Sequence, residues 1–139
     1  MDELYSFAES HRFKIANYPL PETKSISLPL HDICYVGLDN TVRVSEAVEC
    51  CRLGHELGHC MYGGFYTRST PCDVKEQHEY KADVWFIKHR IPASDLARML
   101  REGRDVCEIA EILTVTEDYV MRAYYYYKES GILFEGEAG

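Results

Sequence analysis

The run His55-Glu56-Leu57-Gly58-His59 sets two imidazoles four residues apart, with a carboxylate beside the first. On a helix, positions i and i+4 share a face, so both rings can aim one nitrogen at a single ion. Glu56 projects about 100° further round. It can reach a water next to that ion without ligating the ion itself. Two imidazoles suit zinc, and a carboxylate so placed can take a proton from an attacking water, which is the chemistry of metal-assisted hydrolysis. The bland alternative is two histidines that fall on one helix face. The surroundings oppose it. Residues 44–62 carry Val44, Ala47, Val48, Cys50, Cys51, Leu53, Leu57, Cys60 and Met61 round most of the helix circumference, the mark of a buried helix. Buried His and Glu without partners are costly, and a metal removes that cost.

Catalytic zinc takes three protein ligands and keeps one open position. A longer HExxHxxGxxH pattern would supply a third histidine, but Tyr62 stands at its glycine position and Phe65 at its histidine position. A carboxylate on the next helix is the remaining source. Glu79 and Asp83 are four apart and share a face. We assign Glu79 as the ligand and Asp83 as the acceptor of a ligand histidine's distal N–H, which fixes that ring's tautomer and orientation. Glu76 and His78 compete for the third position. The alternative for both carboxylates is solvated helix charge, ordinary in a chain with 27% charged residues.

Several elements must position these residues. Residues 2–11 have helical apolar spacing. Residues 13–18, 25–28 and 33–38 read as strands, and their short connections predict a small antiparallel sheet. The helix over 44–62 stops at Gly63-Gly64. After a loop over 65–72, the spacing of Asp73 and Glu76 predicts a capping box opening a helix to Arg90, which Pro92 ends. Helices follow over 93–102, 105–113 and 116–130, and the tail from Gly131 is expected to fray. Gly54 and Gly58 lie on one stripe of the 44–62 helix. Each interior glycine costs about 1 kcal/mol relative to alanine, so the pair predicts close approach of another backbone, such as the sheet edge. The result is a single α+β domain, mostly helical: 1–43 the first helix and sheet, 44–91 the metal-binding helices, 92–139 the C-terminal helices.

The stretch Arg52-Leu53-Gly54-His55-Glu56-Leu57-Gly58-His59, then Glu79-Tyr80-Lys81-Ala82-Asp83 and Ile91-Pro92, resembles the ImmA/IrrE family of small metallopeptidases across roughly 13–130. Members show HELGH, a spacer, ExxA(D/N), and a helix ending in a hydrophobic-Pro step. The resemblance implies a zincin-like fold, with His55, His59 and Glu79 as zinc ligands and Glu56 as catalytic base. It also implies a role in mobile-element biology, in which members cleave phage or conjugative-element repressors. Where the family has Phe-Ala after the Asn/Asp position, this chain has Val84-Trp85-Phe86-Ile87. That departure touches packing and leaves the ligands alone.

Composition narrows the partners. The net charge of −8 argues against general nucleic-acid binding and against anionic membranes. It suits a basic protein partner, which with the resemblance points to a helix-turn-helix repressor as substrate. The alternative is an antirepressor that binds its partner without cutting it. Membrane-spanning runs of about eighteen apolar residues are absent. Met1-Asp2-Glu3-Leu4 lacks the features of a secretory signal, so a cytoplasmic protein is expected. There the six cysteines would be reduced, small buried hydrophobes. Residues 109–120 have helix-turn-helix spacing, but Thr114 replaces the usual turn glycine. Glu117 and Asp118 stand where a DNA reader needs basic or amide groups. We expect a hairpin packed on the catalytic core. Tyr124 to Tyr127 cover every side of their helix. Tyr62, Tyr66 and His78 remain open as donors to an oxyanion.

Overall fold

The computed structural model describes residues 2–63, 65 and 69–132. In chain order these form α1 (Asp2–Ser10), β1 (Lys14–Asn17), β2 (Ser25–Leu30), β3 (Ile33–Leu38), α2 (Glu46–Tyr62), α3 (Cys72–Arg90), α4 (Ala93–Arg101), α5 (Val106–Leu113) and α6 (Glu117–Glu129). The fold is α+β and mostly helical. Gly64, Tyr66 and 133–139, on which part of the helix stop, one oxyanion donor and the fraying tail depend, lie outside the described residues.

The sheet is mixed rather than antiparallel. Its order is β1-β3-β2, with β1 parallel to β3 and β2 antiparallel to β3. β3 takes the centre because it is the most apolar strand, burying Cys34, Val36 and Leu38 on one face. β1 and β2 flank it, so the connection through Pro19 and Pro21 crosses over instead of making a hairpin. Asp39 pins the crossover: its carboxylate accepts from the Leu20 and Thr41 backbone N–H groups at 3.1 and 2.8 Å. Those bonds, with the Thr41 hydroxyl first among them, hold its pKa below the usual carboxylate range.

Ser45 caps α2 through Val48 N–H, and Gly63 in the left-handed conformation closes it on His59 O. α3 begins at Cys72 behind Pro71, with no side-chain cap, so the expected Asp73–Glu76 capping box does not form. Asp73 instead lies inside the first turn, where its charge suits the helix dipole. A capping box does form at α5, between Asp105 and Glu108. α2 lies between the sheet and α3, and its buried side chains meet Leu4, Val36, Phe86, Leu96, Ile109 and Val120 in one core.

The two glycines of α2 face α3, not the sheet edge. A Cβ on Gly58 would lie 2.5 Å from the Ala82 carbonyl oxygen, and one on Gly54 would lie 2.1 Å from the Phe86 ring. The expected close backbone approach exists, and its partner is the helix carrying Glu79 and Asp83. The cysteines also depart from expectation. Cys34 of β3 and Cys60 of α2 form a disulfide, their Cα atoms 5.8 Å apart. Cys50 and Cys51 are buried thiols, while Cys72 and Cys107 are exposed. No helix of the described residues is long and apolar enough to cross a membrane.

Candidate metal centre

With Gly58 against Ala82, the stripe of α3 carrying Glu79 and Asp83 is pressed onto the stripe of α2 carrying His55 and His59. His55 Nε2 and His59 Nε2 stand 3.2 Å apart. Glu79 Oε2 is 2.6 Å from His55 Nε2, and Glu79 Oε1 is 3.3 Å from His59 Nε2. The three donor atoms lie within 4.8 Å of one another, and His55, His59 and Glu79 could hold a metal ion. The donor chemistry fits. Tetrahedral zinc with bonds near 2.0–2.1 Å sets its donors about 3.3 Å apart. The separation of the two imidazole nitrogens already matches, and the Glu79 carboxylate reaches the two rings through different oxygens, Oε2 toward His55 and Oε1 toward His59. Glu76 and His78, the competing third ligands, are not in this cluster among the described residues.

Asp83 lies against the other side of His55. Its Oδ1 is 2.7 Å from His55 Nδ1. The same oxygen accepts the Tyr119 hydroxyl at 2.6 Å, and Oδ2 accepts Arg122 Nη1 at 2.7 Å. Both nitrogens of His55 thus face carboxylate oxygens, which can be satisfied together only by the doubly protonated ring. Burial opposes that charge. The hydrogen bonds to Asp83 and Glu79, with the charges of Asp83 and Glu56, outweigh it and raise the His55 pKa to about 10. Burial would raise the Asp83 pKa, but its bonds to His55 and Tyr119 and the nearby cations lower it overall. Burial and the Asp83 charge push the Tyr119 phenol far above the ordinary tyrosine range, so it stays a donor.

Glu56 is buried at 6% exposure and stands outside the donor set. Ser25 Oγ, at the start of β2, donates to its Oε2 at 2.7 Å. Glu56, His55, His59 and Glu79 open onto a groove of about 780 Å³ walled by Ser25 to Pro29 of β2 and by Phe65. β2 is an edge strand: among the described residues it pairs only with β3. Tyr62 is exposed at the end of α2, and neither it nor His78 lines this groove.

Sequence reasoning placed His55, Glu56, His59, Glu79 and Asp83, and all five come together. It missed Ser25, Tyr119 and Arg122. Ser25 could have been suspected as a polar residue opening an alternating strand. The i,i+3 spacing of Tyr119 and Arg122 puts both on one face of α6, but nothing local says that this face meets Asp83. No protein-family model matches the chain, and no curated protein matches it.

Proposed function

We propose that the protein is a metal-dependent endopeptidase of the zincin type, akin to the ImmA/IrrE family, with zinc held by His55, His59 and Glu79. One observation carries the reading: a buried carboxylate, Glu56, stands beside a two-His, one-Glu donor set without belonging to it, and lines a groove along the edge strand β2. A site that only stored or sensed metal would have no use for Glu56.

When bound, zinc supplies Lewis-acid polarisation of the scissile carbonyl and acidifies a water. The chain's own groups supply the rest. Glu56 accepts the proton of the attacking water and returns it to the leaving amine. Ser25, donating to one oxygen of Glu56, restrains its rotamer at the groove. The edge of β2 that pairs with no other strand among the described residues offers backbone N–H and C=O groups to an extended peptide, which would lie across the ligands as an added strand. Ile26 and Leu28 line the same groove and can take apolar side chains of that peptide.

The acidic balance of the chain favours a basic protein substrate, and we name a DNA-binding repressor of a mobile element as the class. The reading keeps the cytoplasmic location expected from the sequence, and in that reducing compartment the Cys34–Cys60 bond would be under pressure to open.

The test joins metal content to cleavage. Protein purified without chelator should carry about one zinc per chain, and His55→Ala or Glu79→Ala should lower that occupancy. Glu56→Gln should keep the zinc and lose hydrolysis of a repressor encoded beside this chain by at least a hundredfold, about the contribution of a general base. Cleavage is read by mass spectrometry of the products. Full inactivation of the repressor by Glu56→Gln would replace the peptidase with an antagonist that only binds.

A further inference from the structure

We propose that the α5–α6 hairpin is a working part of the metal centre: Tyr119 and Arg122 are positioning residues that lock Asp83, and through it His55, in the ligating orientation, an inference resting on the reading of His55, His59 and Glu79 as metal ligands.

The reasoning starts from the imidazole. His55 can offer Nε2 to a metal only when its other nitrogen keeps the proton and the ring is held at the right rotation. Asp83 Oδ1 accepts that Nδ1 proton, but a lone Asp on a helix is free to rotate or to turn to water. Here its freedom is removed from α6. Oδ1 takes a second donor, the Tyr119 hydroxyl, and Oδ2 takes the Arg122 guanidinium. The carboxylate is thus bound from α6 at both oxygens.

The two donors are themselves fixed. Tyr119 is 9% exposed, and its ring meets Phe86 edge-on at 5.3 Å. Phe86 in turn fills the space left by Gly54. The Arg122 guanidinium lies over the Tyr119 ring at 4.7 Å, and its Nε pairs with Asp118 at 2.8 Å. The hairpin is also seated on α2 itself. The backbone N–H of Thr116, the residue that caps α6, points at Cys51 Sγ at 3.5 Å, and Cys51 lies one helical turn before His55. Ordinary packing of a surface helix would need neither a phenol nor a guanidinium aimed at one carboxylate, four residues beyond a metal ligand. The helix-turn-helix-like spacing in the sequence therefore has a use that involves no DNA: it delivers Tyr119 and Arg122 to the back of the site.

The experiment measures zinc affinity by competition with a chromophoric chelator, on the full chain. Tyr119→Phe and Arg122→Gln should each weaken zinc binding about tenfold or more, the size expected for the partners behind a metal-ligating histidine. Arg122→Lys, which keeps a cation near Oδ2, should recover most of that loss. In an Asp83→Ala background, adding Tyr119→Phe should change affinity by less than about twofold, since the residue acts through Asp83. Tyr127→Phe is the control for simple destabilisation. It removes another hydroxyl from α6, one that bonds Ile91 O at 2.8 Å away from the metal centre. It should lower thermal stability and leave zinc affinity unchanged. By NMR of the zinc-loaded protein, the His55 Nδ1 proton should exchange faster with solvent in Tyr119→Phe and Arg122→Gln, and not in Tyr127→Phe. Zinc binding by the wild-type chain with unchanged affinity and exchange in both variants would overturn the bracing role alone. Absence of zinc binding by the wild-type chain would overturn the metal reading and this role together.

Discussion

His55 Nε2 faces Glu79, and on the proposed metal reading a proton and a metal ion compete for it, which would give the site its pH dependence. Its folded pKa, raised to about 10 from 6.5, means that the imidazolium stabilises the metal-free fold fully below pH 6.5, and that this stabilisation is lost as pH rises toward 10. Asp83, whose pKa is lowered from 3.8, adds stability that is present above 3.8 and lost on stronger acidification. Chelator-treated protein should therefore be most stable between about pH 4 and 6.5 and weaken steadily above that window. Zinc should act in the opposite sense, because its ligands must be deprotonated: its stabilisation grows with pH. Urea denaturation across pH, with and without zinc, checks both slopes, with His55→Gln as reference. Equal pH profiles for the metal-free wild type and His55→Gln between pH 6.5 and 10 would contradict the proton-for-metal exchange.

At the scale of elements, the junction of α2 and α3 decides whether a site exists. Gly58 lets the helices close until Ala82 is in contact, and that distance brings Glu79 to the histidines. Alanine at 58 would gain about 1 kcal/mol of helix propensity. Its Cβ, however, would meet the Ala82 backbone at 2.5 Å, and backbone cannot rotate away. Overpacking of this kind costs typically about 1–3 kcal/mol. Gly58→Ala should thus be net destabilising, by up to about 2 kcal/mol in denaturant titration. It should also weaken zinc binding, because α3 must move outward with Glu79. A stabilised Gly58→Ala with normal zinc affinity would show that helix contact does not set the site. The sheet contributes differently. β3 supplies the core face, while β2 remains at the edge, where it walls the groove and delivers Ser25 to Glu56.

For the whole molecule, the Cys34–Cys60 bond ties the central strand to α2, immediately after His59. It closes a loop with a sequence separation of 26, and loop closure of that size is worth about 3–4 kcal/mol in the unfolded-chain entropy account. Reduction, or the pair Cys34→Ser with Cys60→Ser, should lower unfolding stability by about 2–4 kcal/mol. Both are measured in urea, with the free thiols counted. Equal stability of the oxidised and reduced chains would remove the bond from any account of how the sheet is held to α2. The acidic exterior is a second whole-molecule property. Attraction to the basic partner proposed above would fade with salt.

The grouping of the candidate site residues was legible in the sequence because their spacing is local. Helical periodicity alone puts His55 with His59, Glu79 with Asp83, and turns Glu56 aside. The element order was legible for the same reason: apolar spacing, Pro92 and Gly63 are short-range signals. What only the tertiary structure decided lies at long range. The bonds from Ser25 to Glu56, Tyr119 to Asp83 and Arg122 to Asp83 join residues 31, 36 and 39 positions apart, and no local period encodes them. The same holds for the parallel pairing of β1 with β3 and for the disulfide. The glycine stripe stands between the two. Its spacing demanded a close neighbour, but whether sheet or helix would fill that place depended on how the elements shared one core, since each apolar face accepts more than one partner until all must be buried together.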